Sequence, residues 1–169
     1  MIRLKNVAVS FALGALVSIV LSASSYGAAR KSEVNSDSTI TGSQLVKLLS
    51  QKTGEKPLVI QVGFQFLYEG GHIDGARWAG PASTSKGLQR LKDAVRMVPK
   101  NKEIVIYCGC CPWSECPNIK PAYKTLTKLG FRHVKMLYIP VDFAHDWIDH
   151  GFPIVKGDEP TSARKDHDN

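Results

Sequence analysis

All four cysteines of this 169-residue chain lie between Cys108 and Cys116, in the run Cys108-Gly109-Cys110-Cys111-Pro112-Trp113-Ser114-Glu115-Cys116. Clustered thiols offer three kinds of chemistry. As thiolates they attack electrophiles, in pairs they close disulfides, and in groups they hold soft metals such as Cu(I) or Zn. The spacing C-x-C-C-x4-C is dense enough for two or three sulfurs to converge on one ion. It is not the pair of separated C-x2–4-C units usual for structural zinc, so it leaves any metal unnamed. Four cysteines allow three complete pairings. A bridge between the adjacent Cys110 and Cys111 would be strained, which favours Cys111 with Cys116 where a static bridge forms. Pro112 and Pro117 stiffen the loop.

The elements around the loop place it. Glu103-Ile104-Val105-Ile106-Tyr107 is a β-branched apolar run that leads straight into Cys108. Leu58-Val59-Ile60-Gln61-Val62, bounded by Pro57 and Gly63, is a second such run. Both have the character of strands buried on two faces of a parallel sheet. Val134 to Leu137 reads as another strand, and Arg77-Trp78-Ala79 as the start of a short one. Between them lie helical patterns. One has Leu45, Val46, Leu48 and Leu49 behind the caps Thr41-Gly42-Ser43. A second has the stripe Leu88, Leu91, Val95 and Val98. A third starts near Pro117-Asn118 and stops at Leu129-Gly130, and a fourth runs from Val141 to His150 before Gly151 and Pro153. Alternating strands and helices predict an α/β fold: a mostly parallel central sheet with helices on both faces. Ligands in such sheets bind at the carboxyl ends of the strands, which is where Cys108 stands.

The chain ends read differently. Arg3 and Lys5 precede an apolar run from Val7 to Leu21 and then the small residues Ser22 to Ala29. This is the pattern of a secretory signal peptide over residues 1–29. The run is shorter than the roughly 20 residues that a bilayer span needs. The expected location is therefore outside the cytoplasm, periplasmic or secreted, where disulfides persist. Residues 30–39 read as a flexible lead-in, 40–156 as the domain and 157–169 as a disordered tail. Removing Arg3 and Lys5 with the signal lowers the net charge from +7 to +5. The basic residues are scattered, so no nucleic-acid partner is expected. Nor is a stable association with the membrane after cleavage. No phosphate-binding loop, Gly-x-Gly-x-x-Gly fingerprint or serine nucleophile elbow is present, and no cofactor is expected. His133, His145, His150 and His167 form no ligand spacing.

Gly71-His72-Ile73-Asp74-Gly75-Ala76 after an apolar strand resembles the GHIxGA signature of rhodanese-like domains. The strand ending at Cys108 is similar to that family's active-site junction. Leu129-Gly130-Phe131, then a strand, Trp147 and Gly151-Phe152-Pro153 are similar to its C-terminal half. The resemblance spans residues 40–155, and the CGCCPW–CPN loop resembles that of a distinct exported branch. It implies a rhodanese-like fold and a sulfurtransferase, which carries sulfane sulfur as a persulfide on the cysteine after the central strand, here Cys108. The implied partners are a small sulfur-containing donor and a thiophilic acceptor. Gly109, Cys110, Cys111, Trp113, Ser114, Glu115 and Cys116 would then form the substrate-binding loop, with Cys110, Cys111 or Cys116 as a possible resolving thiol. The alternative is a noncatalytic soft-metal or metalloid carrier.

Several residues depart from the family pattern. Members often carry Asp and Arg where this chain has Gln61-Val62-Gly63. Their loop is compact, CxxGxRS-like and carries a basic residue. Here no Arg or Lys follows Cys108 until Lys120, Glu115 is present, the loop is longer, and Ile139-Pro140 stands where Gly-Gly is usual. A loop without a cation weighs against an anionic donor such as thiosulfate. Backbone N–H groups in the turn and at the following helix start are expected to favour Cys108 as thiolate. His72 is expected to fix its loop by hydrogen bonding, Trp113 to wall a pocket or pack the loop, and Trp147 to lie in the core.

Overall fold

The computed structural model describes residues 36–157. The expected signal peptide, the first part of the lead-in and residues 158–169 lie outside the described residues. The described chain forms strands β1 (Thr39–Ile40), β2 (Leu58–Gln61), β3 (Arg77–Trp78), β4 (Glu103–Tyr107) and β5 (His133–Leu137). Helices are α1 (Gly42–Leu49), α2 (Gln65–Gly70), α3 (Ser85–Ala94) and α4 (Ile119–Lys128), with a 3-10 turn at Ser36–Ser38 and a π-helical turn at Ala144–Ile148. The five strands make one sheet in the order β1-β5-β4-β2-β3, and every neighbouring pair is parallel. Among the described residues no helix is long and apolar enough to cross a membrane.

The strand signals become the centre of this sheet because their side chains must be buried on both faces. Ile104 and Ile106 point to one core with Ile60, Leu91, Ile119 and Leu126. Val105 and Tyr107 point to the other with Leu45, Tyr68, Leu137 and Trp147. Helices α3 and α4 thus cover one face, and α1, α2 and the π-turn cover the other. Each fully buried Ile or Leu contributes about 1.5–3 kcal/mol. Strand side chains alternate in direction, so Cys108, two residues after Ile106, continues the α3/α4 face.

Local signals set the helix starts. Thr41 makes a capping box with Gln44, and Thr84 Oγ1 accepts the N–H of Gly87 at 3.0 Å. Such caps are worth about 0.5–2 kcal/mol each. Three elements differ from the sequence expectation. Thr39–Ile40 pairs with Met136–Leu137 as an edge strand, so the end of the segment read as lead-in belongs to the sheet. Gln65–Gly70 forms a short helix where no helical period is visible. Val141–His150 is not a full helix but one π-turn: Asp142 Oδ1 caps the N–H of His145 at 2.7 Å, which delays the start, and Asp149 N–H bonds Ala144 O, five residues back, at 2.9 Å. Trp147 is in the core, as expected.

Candidate active site

The polypeptide leaves β4 at Tyr107, and Cys108 follows at once, only 2% exposed. Gly109 then turns with φ +89°, a conformation that glycine adopts without strain. The turn is tied down by Phe143 N–H to Gly109 O at 3.1 Å and by Trp113 N–H to Ile139 O at 2.9 Å. It folds the loop back so that the sulfurs of Cys108, Cys110 and Cys116 all lie within 4.8 Å of one another. Cys110 Sγ stands 3.3 Å from Cys108 Sγ and 3.1 Å from Cys111 Sγ. All four cysteines are unbridged.

Two residues beyond the four cysteines hold Cys108 from either side. Asn118, fully buried, donates from Nδ2 to Cys108 Sγ at 3.2 Å and accepts Ser83 N–H on Oδ1 at 2.9 Å. Gln61, 1% exposed, donates from Nε2 to the Cys108 carbonyl at 3.0 Å and accepts Gly63 N–H on Oε1 at 3.1 Å. Gly63 packs so closely that a Cβ there would stand 2.9 Å from both the sulfur and the carbonyl oxygen of Cys108. Neither Asn118 nor Gln61 stands out in the sequence as a site residue. The available signals were faint: a polar residue closing an apolar strand, and an Asn before a helix that reads as a cap. Asn118 makes no side-chain cap hydrogen bond in the structure. Its amide is committed to the cysteine.

The protons are arranged differently from the sequence expectation. The pKa of Cys116 is held down to about 5, chiefly by a hydrogen bond from Cys108, and, against the desolvation of its site, by the backbone N–H groups of Asn118 and Ile119 at the start of α4. Cys108 is pushed upward, first because it donates to Cys116 and then by burial; the N–H of Cys110 only partly offsets this. Cys111 is pushed up to about 12, chiefly by desolvation. The helix-start amides expected to serve Cys108 serve Cys116 instead, because the loop is long enough to bring the last cysteine to the helix.

Beside the cysteines is a cleft of about 450 Å³. Gly109, Cys110 and Cys108 form part of its wall, with Phe64, Phe66, Leu67, Tyr107, Phe143 and Ile148 among the apolar residues around them. Asp142 is the one charged side chain in this lining. A separate small hollow is bordered by Cys108, Gly109, Cys111, Trp113 and Cys116. Of the expected loop residues, Cys108, Gly109 and Cys110 therefore face the cleft, while Cys111, Trp113 and Cys116 border the hollow. Ser114 and Glu115 are exposed and line neither cavity, so the Glu115 carboxylate lies in solvent. Trp113 packs the loop, 6.0 Å from the ring of Tyr138. His72 is fully buried, stacks on Tyr68 at 3.6 Å and bonds the Tyr68 carbonyl through Nδ1 at 2.7 Å. It fixes the loop, and burial lowers its pKa.

The fold has known counterparts. The family model described as Rhodanese-like domain matches residues 41–138. The crystal structure of the Alr3790 protein from Anabaena sp. is similar with a TM-score of 0.54 and 20% identity, over 75% of this chain and 87% of that one. The thiosulfate sulfurtransferase from Pseudomonas aeruginosa is similar with a TM-score of 0.55 and 22% identity; 73% of this chain matches 20% of that one. Wild-type EanB has a TM-score of 0.50 and 23% identity, over 70% of this chain and 27% of that one. No curated protein sequence matches.

Proposed function

Because this chain belongs to the rhodanese-like domain family, we propose that it is an exported sulfurtransferase that carries sulfane sulfur as a persulfide on Cys108. The observation that carries the reading is the position of Cys108 Sγ. It belongs to the residue that follows the central strand at its carboxyl end and that lines an apolar cleft, with an Asn118 N–H on the sulfur and Gly63 packed closely against it. A thiophilic acceptor would enter by the same cleft. Export rests on the sequence pattern of residues 1–29.

Loading needs a thiolate, and the Cys108–Cys116 pair, which shares one proton, offers one on Cys108 when that proton sits on Cys116. Cys108 attacks the outer sulfur of a persulfide donor R–S–SH, its own proton passing to the Cys116 thiolate. The bond from Cys108 Sγ to the outer sulfur forms, the donor's S–S bond breaks, and the donor departs as R–S⁻. Charge and protons balance, with one negative charge before and after. The cleft lining carries no cation and one carboxylate, which suits an uncharged or weakly charged donor with apolar substituents better than thiosulfate.

The test is thiocyanate formation from cyanide, with thiosulfate, an alkyl thiosulfonate and an alkyl persulfide as alternative donors. Wild-type protein is expected to turn over the alkyl donors and Cys108→Ser to be inactive. Undiminished activity in Cys108→Ser defeats the assignment.

A second reading is favoured by the convergence of three sulfurs within 4.8 Å. Metal–sulfur bonds of about 2.3 Å place trigonal ligands about 4 Å apart, so small movements would let the three thiolates hold Cu(I). Anaerobic competition with a Cu(I) chelator separates the readings; failure of the reduced protein to withdraw the ion removes the carrier.

A further inference from the structure

We propose that Cys116 is the resolving thiol: it attacks Cys108 Sγ from the side away from the cleft, releases the sulfane sulfur into the cleft as hydrogen sulfide, and leaves a Cys108–Cys116 disulfide. This rests on the reading of Cys108 as the persulfide carrier. Within that reading it makes the protein a persulfide reductase driven by an external dithiol.

The argument is one of position. Displacement at sulfur proceeds in line, with attacker and leaving group on opposite sides of the sulfur attacked. Cys108 borders both the cleft and the small hollow. A donor arrives through the cleft, so the transferred sulfur lodges there. Cys116 borders the hollow and not the cleft, and its sulfur is within 4.8 Å of Cys108 Sγ. Its sulfur packs with that of Cys108 in the buried cluster on the α3/α4 side, so it reaches Cys108 Sγ from the side away from the α2 and π-turn residues that line the cleft. Cys110 is near, 3.3 Å away, but it borders the cleft on the side where the leaving sulfur sits. Cys111 borders the hollow but lies outside the converging trio, its sulfur in contact with that of Cys110. Only Cys116 has helix-start N–H groups, those of Asn118 and Ile119, on its sulfur to favour the charge an attacking thiolate bears.

The step balances as written: the Cys108 persulfide (Cys108–S–SH) and the Cys116 thiol give Cys108–S–S–Cys116 and one molecule of hydrogen sulfide. The Sγ–Sγ bond forms and the bond from Cys108 Sγ to the sulfane sulfur breaks. The sulfane sulfur gains two electrons from the two cysteines, and both protons leave with it. A small-molecule or protein dithiol then reduces the disulfide and restores the pair.

The experiment loads reduced protein with an alkyl persulfide, removes the donor, and follows sulfide release and the disulfide map by mass spectrometry without added reductant. Wild type is expected to release about one sulfide per loaded site and to acquire a Cys108–Cys116 link. Cys116→Ser is expected to lose sulfide release while keeping the added sulfur on the Cys108 peptide. The inference is overturned if Cys116→Ser releases sulfide at the wild-type rate, or if wild-type protein links Cys108 to Cys110 or Cys111. The wild-type map needs no variant and so is immune to misfolding. Cys108→Ser tests the underlying reading separately: sulfur uptake by this variant equal to wild type would remove the carrier itself, a result distinct from a failed resolution step.

Discussion

Asn118 and Cys108 are ten residues apart in sequence and 3.2 Å apart in space, the amide Nδ2 donating to the sulfur while Oδ1 is fixed by Ser83 N–H. This bond links the first residue after β4 to the residue before α4, across the whole cysteine loop. It supplies a donor to the sulfur in a loop that has no Arg or Lys before Lys120. Replacing it tests how the site is held. Asn118→Ala is expected to cost about 1–3 kcal/mol of stability, since it removes two hydrogen bonds at a buried position. Asn118→Asp substitutes an acceptor, and a negative one, for the donor. It is expected to slow alkylation of Cys108 by about tenfold, equivalent to about 1.4 kcal/mol, with the fold retained. Alkylation rates and urea titrations on both variants check this.

Gly63 offers a steric test of the same sulfur. A methyl group there would stand 2.9 Å from Cys108 Sγ. Gly63→Ala is expected to destabilise the protein by about 1–3 kcal/mol through overpacking. It should also displace the sulfur from Asn118, so persulfide loading falls more than the fold loses stability. Denaturant midpoints and donor-dependent sulfur uptake, measured together, distinguish this from general destabilisation.

Ionisation of the pair predicts a pH profile. Cys116 is ionised down to about 5 in the fold, while an unfolded cysteine ionises near about 8.5. Its contribution to stability is complete above the unfolded value and is lost as the pH falls through about 5. Cys108 has the opposite sign. Held protonated by its bond to Cys116 and by burial, it contributes below about 8.5, and that contribution is lost as the pH rises further. The reduced protein should therefore gain stability from about pH 5 toward about 8 and lose it above. Cys116→Ser should flatten the acid side and abolish the thiolate absorbance step near pH 5. Urea midpoints and ultraviolet titration read both.

Charge at the cleft mouth predicts donor choice. Phe66 is 67% exposed on the rim, and the lining holds Asp142 but no cation. Phe66→Arg is expected to raise kcat/KM for thiosulfate by about five- to tenfold, an effect on the order of 1 kcal/mol for charges near a protein surface. A dialkyl trisulfide, which carries no charge, should be unaffected. An equal change for both donors would show that the rim acts by shape instead.

Much of this architecture was legible along the chain because the relevant signals are local. Runs such as Ile104-Val105-Ile106 are short, β-branched and apolar on successive residues, the character of a strand buried on both faces, and this places Cys108 at the carboxyl edge of a parallel sheet. Thr41 and Thr84 mark helix starts because a cap depends on the next three residues alone. The order of these elements, with Gly71-His72-Ile73-Asp74-Gly75-Ala76 among them, marks the family. Short elements escaped. Thr39–Ile40 is a strand only because Met136–Leu137 lies beside it, and Gln65–Gly70 is too short to show a period.

The division of labour among the sulfurs was decided in three dimensions. Four cysteines in nine residues announce thiol chemistry, but spacing is blind to which sulfur meets a helix start and which meets a cleft. The path of the loop through Gly109 and Trp113 settles that, by placing Cys116 against the amides of Asn118 and Ile119 and leaving Cys108 among the residues that line the cleft. Gln61 and Asn118 belong to the same category. Their roles arise from partners 47 and ten residues away, and a hydrogen bond of that reach exists only once the chain has closed around it.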